Sequence, residues 1–306
     1  MFNFEVLKRF LMNKILNIIV VIIFLLFVLF VIFVAGISSN FKGLQVGNNK
    51  NKLFNKGLKF GDNRTLGDAV LVSSEALSTK SIEFGIKRGT NHEQPDVGTT
   101  NKKLIEKYNG LVLGNKDSKN IYLTFDVGYE GGYTEKILDT LKQNDVKACF
   151  FITVQFYKTN PELIKKMIDD GHIVGNHTVN HKSFPKCDDE TIKNEIMTLH
   201  QNIYNDFNYE MKYLRPPKGE YSEKSLAIVQ RLGYIPVFWS FAWDDWDENK
   251  QGREEYGKKK ILDNVHNGEI MLLHATSKDD CNILEYVIKT IKDEGYSFKS
   301  LDEFEK

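Results

Sequence analysis

Short apolar runs alternate with longer segments of helical apolar periodicity from about residue 120 to the C-terminus. Runs of β-branched and aromatic residues favour buried strands, whereas apolar residues at every third or fourth position favour amphipathic helices. The pattern predicts strands at residues 121–125, 148–153, 172–174, 211–214, 235–240, 269–273 and 296–298. It predicts helices at residues 134–144, 161–170, 188–205, 222–232, 254–266 and 280–294.

Repeated strand–helix units with short connections indicate a parallel sheet, either open or closed into a barrel. Local signals support the predicted boundaries, because Pro161 follows Asn160 at a helix start, and Gly171 and Gly233 each follow a predicted helix. With six or seven units, the sequence favours an α/β fold, a distorted and incomplete (β/α) barrel. We place this predicted catalytic domain at residues 105–306.

The N-terminal part of the chain has a different pattern. Residues 15–37 are almost wholly Ile, Leu, Val and Phe, and such a run is long enough for a helix to cross a hydrocarbon core of about 30 Å. Three basic side chains lie in residues 1–14, which predicts that this end stays in the cytoplasm. We expect a single-pass transmembrane anchor, with a cleaved signal peptide as the alternative, followed by a stalk over residues 38–104.

Composition narrows the functional classes. The chain has 306 residues and a formal net charge of zero, which argues against nucleic-acid binding. Its three cysteines are widely spaced and odd in number, so they form neither a disulfide framework nor a CxxC metal knuckle. Cys149 is expected to be a small core residue.

Polar side chains follow the predicted strands rather than preceding them. Because parallel strands have their C-terminal ends on one face, these groups are expected to converge there. The groups are Asp126, His177 with His181, Arg215, Asp244 with Asp245 and Trp246, and His274.

The spacing and types of these residues suggest metal-assisted hydrolysis. His177 and His181 are four residues apart, so on a helical turn both imidazoles would point the same way and hold one metal ion, with zinc or a similar ion favoured. Asp126 could then act as general base and His274 as general acid, while Arg215 keeps Asp126 ionised. The structural alternatives are surface histidines, a rigid turn at Arg215 and a core histidine at His274.

These motifs, in this order, resemble the polysaccharide deacetylases, the NodB-homology domain of carbohydrate esterase family 4. The matching strings are TFDVG, NHTVNH, RPPKG, DDW and LLH, and the resemblance covers about residues 119–303. It implies a distorted (β/α) barrel and metal-dependent removal of N-acetyl groups from an amino-sugar polymer. The implied roles are base for Asp126, metal ligands for His177 and His181, partner of the base for Arg215, acid for His274, acetyl-pocket wall for Trp246, and substrate contacts for Asp245 and Gly219.

Two positions depart from the family pattern. Val127 replaces an Asp that is a metal ligand in the family, and Ala242 replaces an Asp that tunes the acid histidine, a role that Asp244 or Asp245 could take over. The longer string TFDVGYEGGYTEKILDTL and the upstream NHEQP most resemble the branch that deacetylates N-acetylmuramic acid on the way to muramic δ-lactam in spore cortex.

The sequence therefore predicts a membrane-anchored enzyme that acts on peptidoglycan glycan strands outside the cytoplasmic membrane. Two alternatives remain at this point. One is deacetylation of N-acetylglucosamine in peptidoglycan or another extracellular polysaccharide. The other, suggested by Val127 and Ala242, is a metal-poor wall-binding pseudoenzyme.

Overall fold

The structure, a computed structural model, describes residues 77–306. The predicted anchor at residues 15–37 and most of the predicted stalk lie outside this range. Within residues 77–306, no helix combines the length and the apolar character that a membrane crossing requires.

Nine strands and eight α-helices are formed in the described part of the chain. The strands are β1 (Ile82–Glu83), β2 (Asn120–Val127), β3 (Cys149–Ile152), β4 (Ile173–Asn176), β5 (Tyr213–Leu214), β6 (Glu220–Tyr221), β7 (Ile235–Pro236), β8 (Glu269–His274) and β9 (Ser297–Phe298). The helices are α1 (Thr99–Lys107), α2 (Thr134–Gln143), α3 (Val154–Thr159), α4 (Pro161–Asp169), α5 (Asp189–Phe207), α6 (Glu223–Arg231), α7 (Glu254–Leu262) and α8 (Lys278–Asp293). Short 3-10 turns lie at Phe184–Lys186, Pro217–Gly219, Glu248–Lys250 and Leu301–Glu303.

Seven of these strands form one parallel sheet in the order β7-β5-β4-β3-β2-β8, with β9 also paired to β2. The segment after β7 bonds first to β5, where the Val237 amide donates to Leu214, and then to β8, where the Phe241 amide donates to Ile270. The sheet therefore curls back towards its own edge. This confirms the predicted α/β fold with a curled, barrel-like parallel sheet.

Alternation along β2 separates the two sides of the sheet. Leu123, Phe125 and Val127 lie in the core between the sheet and the helices, whereas Tyr122 lies in a second cluster on the opposite side. Because successive side chains of a strand point to opposite faces, Asp126 shares the face of Tyr122 and not that of Val127. This places the carboxylate at the C-terminal end of the inner face.

Helix termini follow the sequence signals closely. The Asp188 side chain caps α5 by accepting from the Thr191 amide at 2.8 Å, and Ser222 and Ser225 form a reciprocal capping box on α6. Pro161 occupies the first turn of α4 as predicted, although the side chain of Asn160 makes no capping bond there. Two short helices, α1 and α3, were not predicted.

Residues 77–104, which the sequence assigned to the stalk, belong to the same compact unit as the barrel. β1 pairs antiparallel with β6, and Phe84 and Val97 are buried in a cluster with Tyr221 and Phe238. The predicted boundary at residue 105 therefore does not coincide with an edge of this packed unit.

Candidate active site

Asp126 ends β2 and is held by Arg215, which follows β5. The Arg215 guanidinium is fully buried and donates from Nη1 to Asp126 Oδ1 at 2.8 Å and from Nη2 to Thr124 Oγ1 at 2.9 Å. It also lies over the ring of Phe151, with its Cζ 4.3 Å from the ring centroid. Burial raises the pKa of Asp126, but the nearby charges of Arg215 and the histidines outweigh burial and lower that pKa below its usual value. The pKa shift keeps Asp126 ionised at neutral pH.

His177 and His181 come together on a loop after β4, and their ring centroids are 4.7 Å apart. The sequence placed them on a helical turn, and this was wrong. The chain instead passes through left-handed backbone conformations at Thr178 and His181, with φ values of 72° and 53°. Thr178 Oγ1 accepts from the His181 amide at 3.1 Å, which holds the turn.

The loop is fastened to α5 by Glu195, a buried carboxylate. Glu195 accepts from the backbone amide and from the side-chain amide of Asn180, each at 2.7 Å. Burial raises the pKa of Glu195, but these hydrogen bonds and Lys182 bring it below its usual value. Glu195 is thus a residue that positions the histidine loop.

The histidine loop provides some, but not all, of the ligands that a metal ion requires. His177 Nδ1 lies 2.9 Å from the carbonyl oxygen of Arg215, which can only accept, so Nδ1 carries the proton and Nε2 has a free lone pair. His177 Nε2 lies 3.5 Å from Asp126 Oδ2. Burial and the neighbouring His177 lower the pKa of His181 to about 4, so this imidazole is neutral and also able to ligate. Two imidazoles are therefore available on one side of Asp126.

The third donor of the family pattern is missing. Val127 is fully buried and lies in the core between sheet and helices. No group of three or more His, Cys, Asp or Glu side chains suited to a metal is found within residues 77–306. Any metal here would depend mainly on His177 and His181.

His274 ends β8 and is held by Asp245. Asp245 Oδ1 lies 2.9 Å from His274 Nδ1, and Asp245 Oδ2 accepts from the His274 amide at 2.6 Å. Burial lowers the pKa of His274, but Asp245 and Asp126 outweigh burial and raise it above the usual value. Asp245 therefore takes the tuning role that Ala242 cannot. Asp244, the other candidate, pairs with Arg253 at 3.0 Å instead.

A third carboxyl group, Asp280, lies behind Asp245 and was not predicted. Asp280 is fully buried, accepts from Trp243 Nε1 at 3.2 Å, and interacts electrostatically with Asp245. Burial and the Asp245 charge raise the pKa of Asp280 well above its usual value. The proton in this pair consequently belongs to Asp280, which leaves Asp245 ionised beside His274.

These groups border an open cavity of about 920 Å³. Six of the eight predicted site residues form its wall: Asp126, His177, His181, Gly219, Trp246 and His274. The other two, Arg215 and Asp245, lie behind the wall and support Asp126 and His274. The expectation that Asp245 contacts substrate thus differs from its place in the structure, where it is only 1% exposed.

Aromatic side chains form the outer part of the cavity. Trp246 lines the cavity and is 59% exposed, so its ring is accessible from the cavity mouth. Trp239, for which core packing was favoured, also lines the cavity. Gly219 has a φ of 65°, and a Cβ there would meet the Trp239 ring at 2.7 Å, so glycine is needed for both reasons.

Three residues that support the site were not predicted, because the sequence signal of each is weak. Thr124 lies inside an apolar run, Glu195 is in mid-helix, and Asp280 is in the first turn of α8, where an acid is common in any helix. Their roles depend on partners distant in the sequence.

Comparisons with known proteins agree with this geometry. A family model described as polysaccharide deacetylase matches residues 113–237. Over 236 residues the chain is 43% identical to the peptidoglycan-N-acetylmuramic acid deacetylase PdaA of Bacillus subtilis, covering 76% of this chain and 90% of PdaA. A Bacillus cereus peptidoglycan-N-acetylglucosamine deacetylase is 30% identical over 201 residues, 64% of this chain and 72% of the relative.

Solved structures give the same result. The structure of Bacillus subtilis PdaA, a family 4 carbohydrate esterase, superposes with a TM-score of 0.73 at 42% identity, covering 74% of this chain and 98% of that one. A family 4 carbohydrate esterase from Bacillus anthracis gives a TM-score of 0.63 at 39% identity, covering 75% of this chain and 98% of that one.

Proposed function

The chain belongs to the polysaccharide deacetylase family, hydrolases of C–N amide bonds, and on that premise we propose that it removes N-acetyl groups from peptidoglycan, at N-acetylmuramic acid. The observation that carries the proposal is the placement of an ionised Asp126 and a protonatable His274 on one wall of a single cavity. The 43% identity to an N-acetylmuramic acid deacetylase supports the choice of sugar.

The arrangement supports general base and general acid catalysis. Asp126 takes a proton from water as the water oxygen attacks the acetamido carbonyl carbon. His274 then donates its proton to the sugar nitrogen as the C–N bond breaks, giving acetate and a free amine. Arg215 keeps Asp126 ionised, and Asp245 keeps His274 protonated and correctly oriented.

We include a divalent metal ion in the proposal, with zinc the first choice. His177 and His181 would hold it, and when bound it would polarise the acetamido carbonyl and acidify water. Because Val127 supplies no third ligand, the ion would be held more weakly than at a three-ligand site.

The finer biological assignment follows the resemblance. A muramic acid unit freed of its acetyl group has an amine next to a lactyl carboxylate, and condensation of the two with loss of water gives a δ-lactam. We propose that the product is used in this way in spore cortex. We further propose that residues 15–37 anchor the enzyme in the cytoplasmic membrane, with the catalytic domain on the outer side.

Mass spectrometry of digested glycan tests the choice of sugar. The full-length protein is incubated with peptidoglycan glycan strands, the strands are digested to disaccharides, and fragmentation locates the free amine. The proposal expects the amine on muramic acid. An amine on glucosamine alone would favour the N-acetylglucosamine alternative, and no amine on either sugar at any zinc concentration would favour a wall-binding pseudoenzyme.

A further inference from the structure

Two cationic side chains on the cavity wall have no anionic partner. Lys158 and Lys218 both line the cavity and are exposed, and within residues 77–306 neither forms an ion pair or a side-chain hydrogen bond. Two lysines that follow cavity residues in the sequence are paired instead, Lys182 with Glu195 at 3.3 Å and Lys250 with Asp247 at 3.2 Å. The two unpaired lysines therefore leave positive charge directed at the substrate space.

The cavity wall holds little negative charge to offset them. Among the described residues, Asp126 is the only Asp or Glu on that wall, and its charge is already balanced by Arg215 at 2.8 Å. An anion entering the cavity would consequently find two ammonium groups without competition from protein carboxylates.

Lys218 is fixed in place by its backbone. It lies in the 3-10 turn Pro217–Gly219 with a left-handed φ of 61°, and the Gly219 amide donates to the Pro216 carbonyl at 3.1 Å. A left-handed φ is uncommon for lysine, and such residues cluster at ligand-binding sites.

Lys158 approaches the same region from α3. This helix is capped by Thr153, and its first amide, of Val154, donates to the Thr178 carbonyl at 3.2 Å. Thr178 is in the histidine loop, so α3 is tied to the loop beside which Lys218 lies. Lys158 and Lys218 thus line the same cavity as His177 and His181.

The two candidate sugars differ in one anionic group, a lactyl carboxylate, close to the acetamido group that reacts. N-acetylmuramic acid carries a lactyl ether on O3, the oxygen of the carbon next to the one that bears the acetamido group, whereas N-acetylglucosamine has a neutral hydroxyl there. A sugar seated with its acetamido group between Asp126 and His274 thus carries its lactyl carboxylate within a few bonds of the reaction centre. We propose that Lys158 and Lys218 bind this carboxylate and select N-acetylmuramic acid over N-acetylglucosamine, an inference that rests on the proposed function.

Selectivity between two matched substrates tests the inference. Wild-type full-length protein, Lys158→Gln, Lys218→Gln and the double variant are assayed for acetate release from a muramyl glycan with free lactyl carboxylates. The same assay uses that glycan with the carboxylates converted to methylamides. The control is Lys289→Gln, because Lys289 is exposed on α8 and pairs only with Glu285.

We expect wild type and Lys289→Gln to prefer the acid over the methylamide. The ratio of kcat/KM values should fall about two- to fivefold in each single variant, mainly through KM, and further in the double variant. Added salt should reduce the wild-type preference and have little effect on the remaining preference of the double variant.

Two results would overturn the inference while leaving the proposed function intact. One is a wild type that releases acetate equally well from the acid and the methylamide. The other is a double variant that keeps the wild-type ratio. Failure of the wild type to release acetate from either glycan would instead overturn the proposed function itself, and the inference with it.

Discussion

Asp126 and His274 are register partners on adjacent parallel strands, β2 and β8. Aligned residues of neighbouring strands point to the same side of a sheet, so the base and the acid share the inner face. Each is held from behind by a group of opposite charge, Arg215 for Asp126 and Asp245 for His274. The sheet itself thus sets the relative position of the two proton-transfer groups.

The rate of acetate release should depend on pH in a bell shape. Asp126 has a lowered pKa, so activity is lost as acid protonates it, and His274 has a raised pKa, so activity is lost as base removes its proton. Asp245→Asn removes a negative charge that raises the pKa of His274, and the alkaline limb should move to lower pH. A pH profile of kcat measures this shift.

The matched control for that profile is Asp244→Asn. Asp244 is adjacent in sequence but pairs with Arg253 and Lys250, so its replacement should leave the alkaline limb in place. If the alkaline limb does not move in Asp245→Asn, then the Asp245 carboxylate does not control the pKa of His274.

Divalent metal should bind through the two imidazoles of the loop. We expect His177→Ala and His181→Ala each to lower zinc affinity by about tenfold or more in calorimetric titration, since each removes half of the imidazole ligands. A chelator should lower acetate release by wild type, and added zinc should restore it. Zinc binding unchanged in both variants would mean that the ion is held elsewhere.

Loss of the Glu195 side chain should loosen the histidine loop. Glu195→Ala leaves two donors of Asn180 without their buried acceptor, which should cost about 1–3 kcal/mol of unfolding free energy at pH 7. The pKa of Glu195 is lower in the folded protein than in the unfolded chain. Its contribution to the free energy of unfolding is therefore present above pH 4.5 and is lost as the pH falls through the pKa of the folded state. Urea denaturation at several pH values measures both effects.

Glu190→Ala is the control for the loop variant. Glu190 is on the same helix but is exposed, and its carboxylate meets only Asn194. Its replacement should change the unfolding free energy by less than about 0.5 kcal/mol. Equal stability losses in the two variants would contradict the anchoring role of Glu195.

A buried carboxyl group away from the cavity should make stability fall with rising pH. Burial raises the pKa of Glu269 well above its usual value, and its neighbour His266 is neutral because burial lowers that pKa to about 4. The stabilisation from protonated Glu269 is complete when the pH is below the pKa that this residue has in the unfolded chain. Above that pH the free energy of unfolding declines by about 1.4 kcal/mol per pH unit, until the pH reaches the pKa of Glu269 in the folded protein.

Glu269→Gln should flatten this decline, because a neutral amide replaces the group that must otherwise hold a proton. Glu285→Gln, on the exposed side of α8, should leave the decline as in wild type. Thermal denaturation across neutral and alkaline pH checks the comparison. A decline in Glu269→Gln as steep as in wild type would contradict the assignment.

The sequence predicted the long strands well, because an apolar run that ends in a polar group is a local signal. β2 with Asp126 and β8 with His274 both follow this pattern. β5 and β7 are only two residues each in the structure, shorter than predicted, and β7 is short because the chain after Val237 leaves β5 and crosses to β8. That crossing depends on sheet curvature, which a local pattern does not contain.

The site was predictable where a motif carried the chemistry and not where tertiary contacts did. The spacing of His177 and His181 indicated that the two side chains could bind one metal ion. They meet through a left-handed turn, however, whereas this spacing usually occurs on a helix. Asp280 meets Trp243 across 37 positions of sequence, so no spacing rule could find it. Asp245 was a candidate in the sequence, but only its burial behind His274 distinguishes it from Asp244.

Acetate release by wild type and Asp126→Asn tests the central claim most directly. Asparagine keeps the size of the side chain and removes its ability to take a proton, so the variant should lose about 10²–10⁴ in kcat on muramyl glycan. Circular dichroism should show the variant folded. A folded Asp126→Asn protein that releases acetate at the wild-type rate would contradict the account.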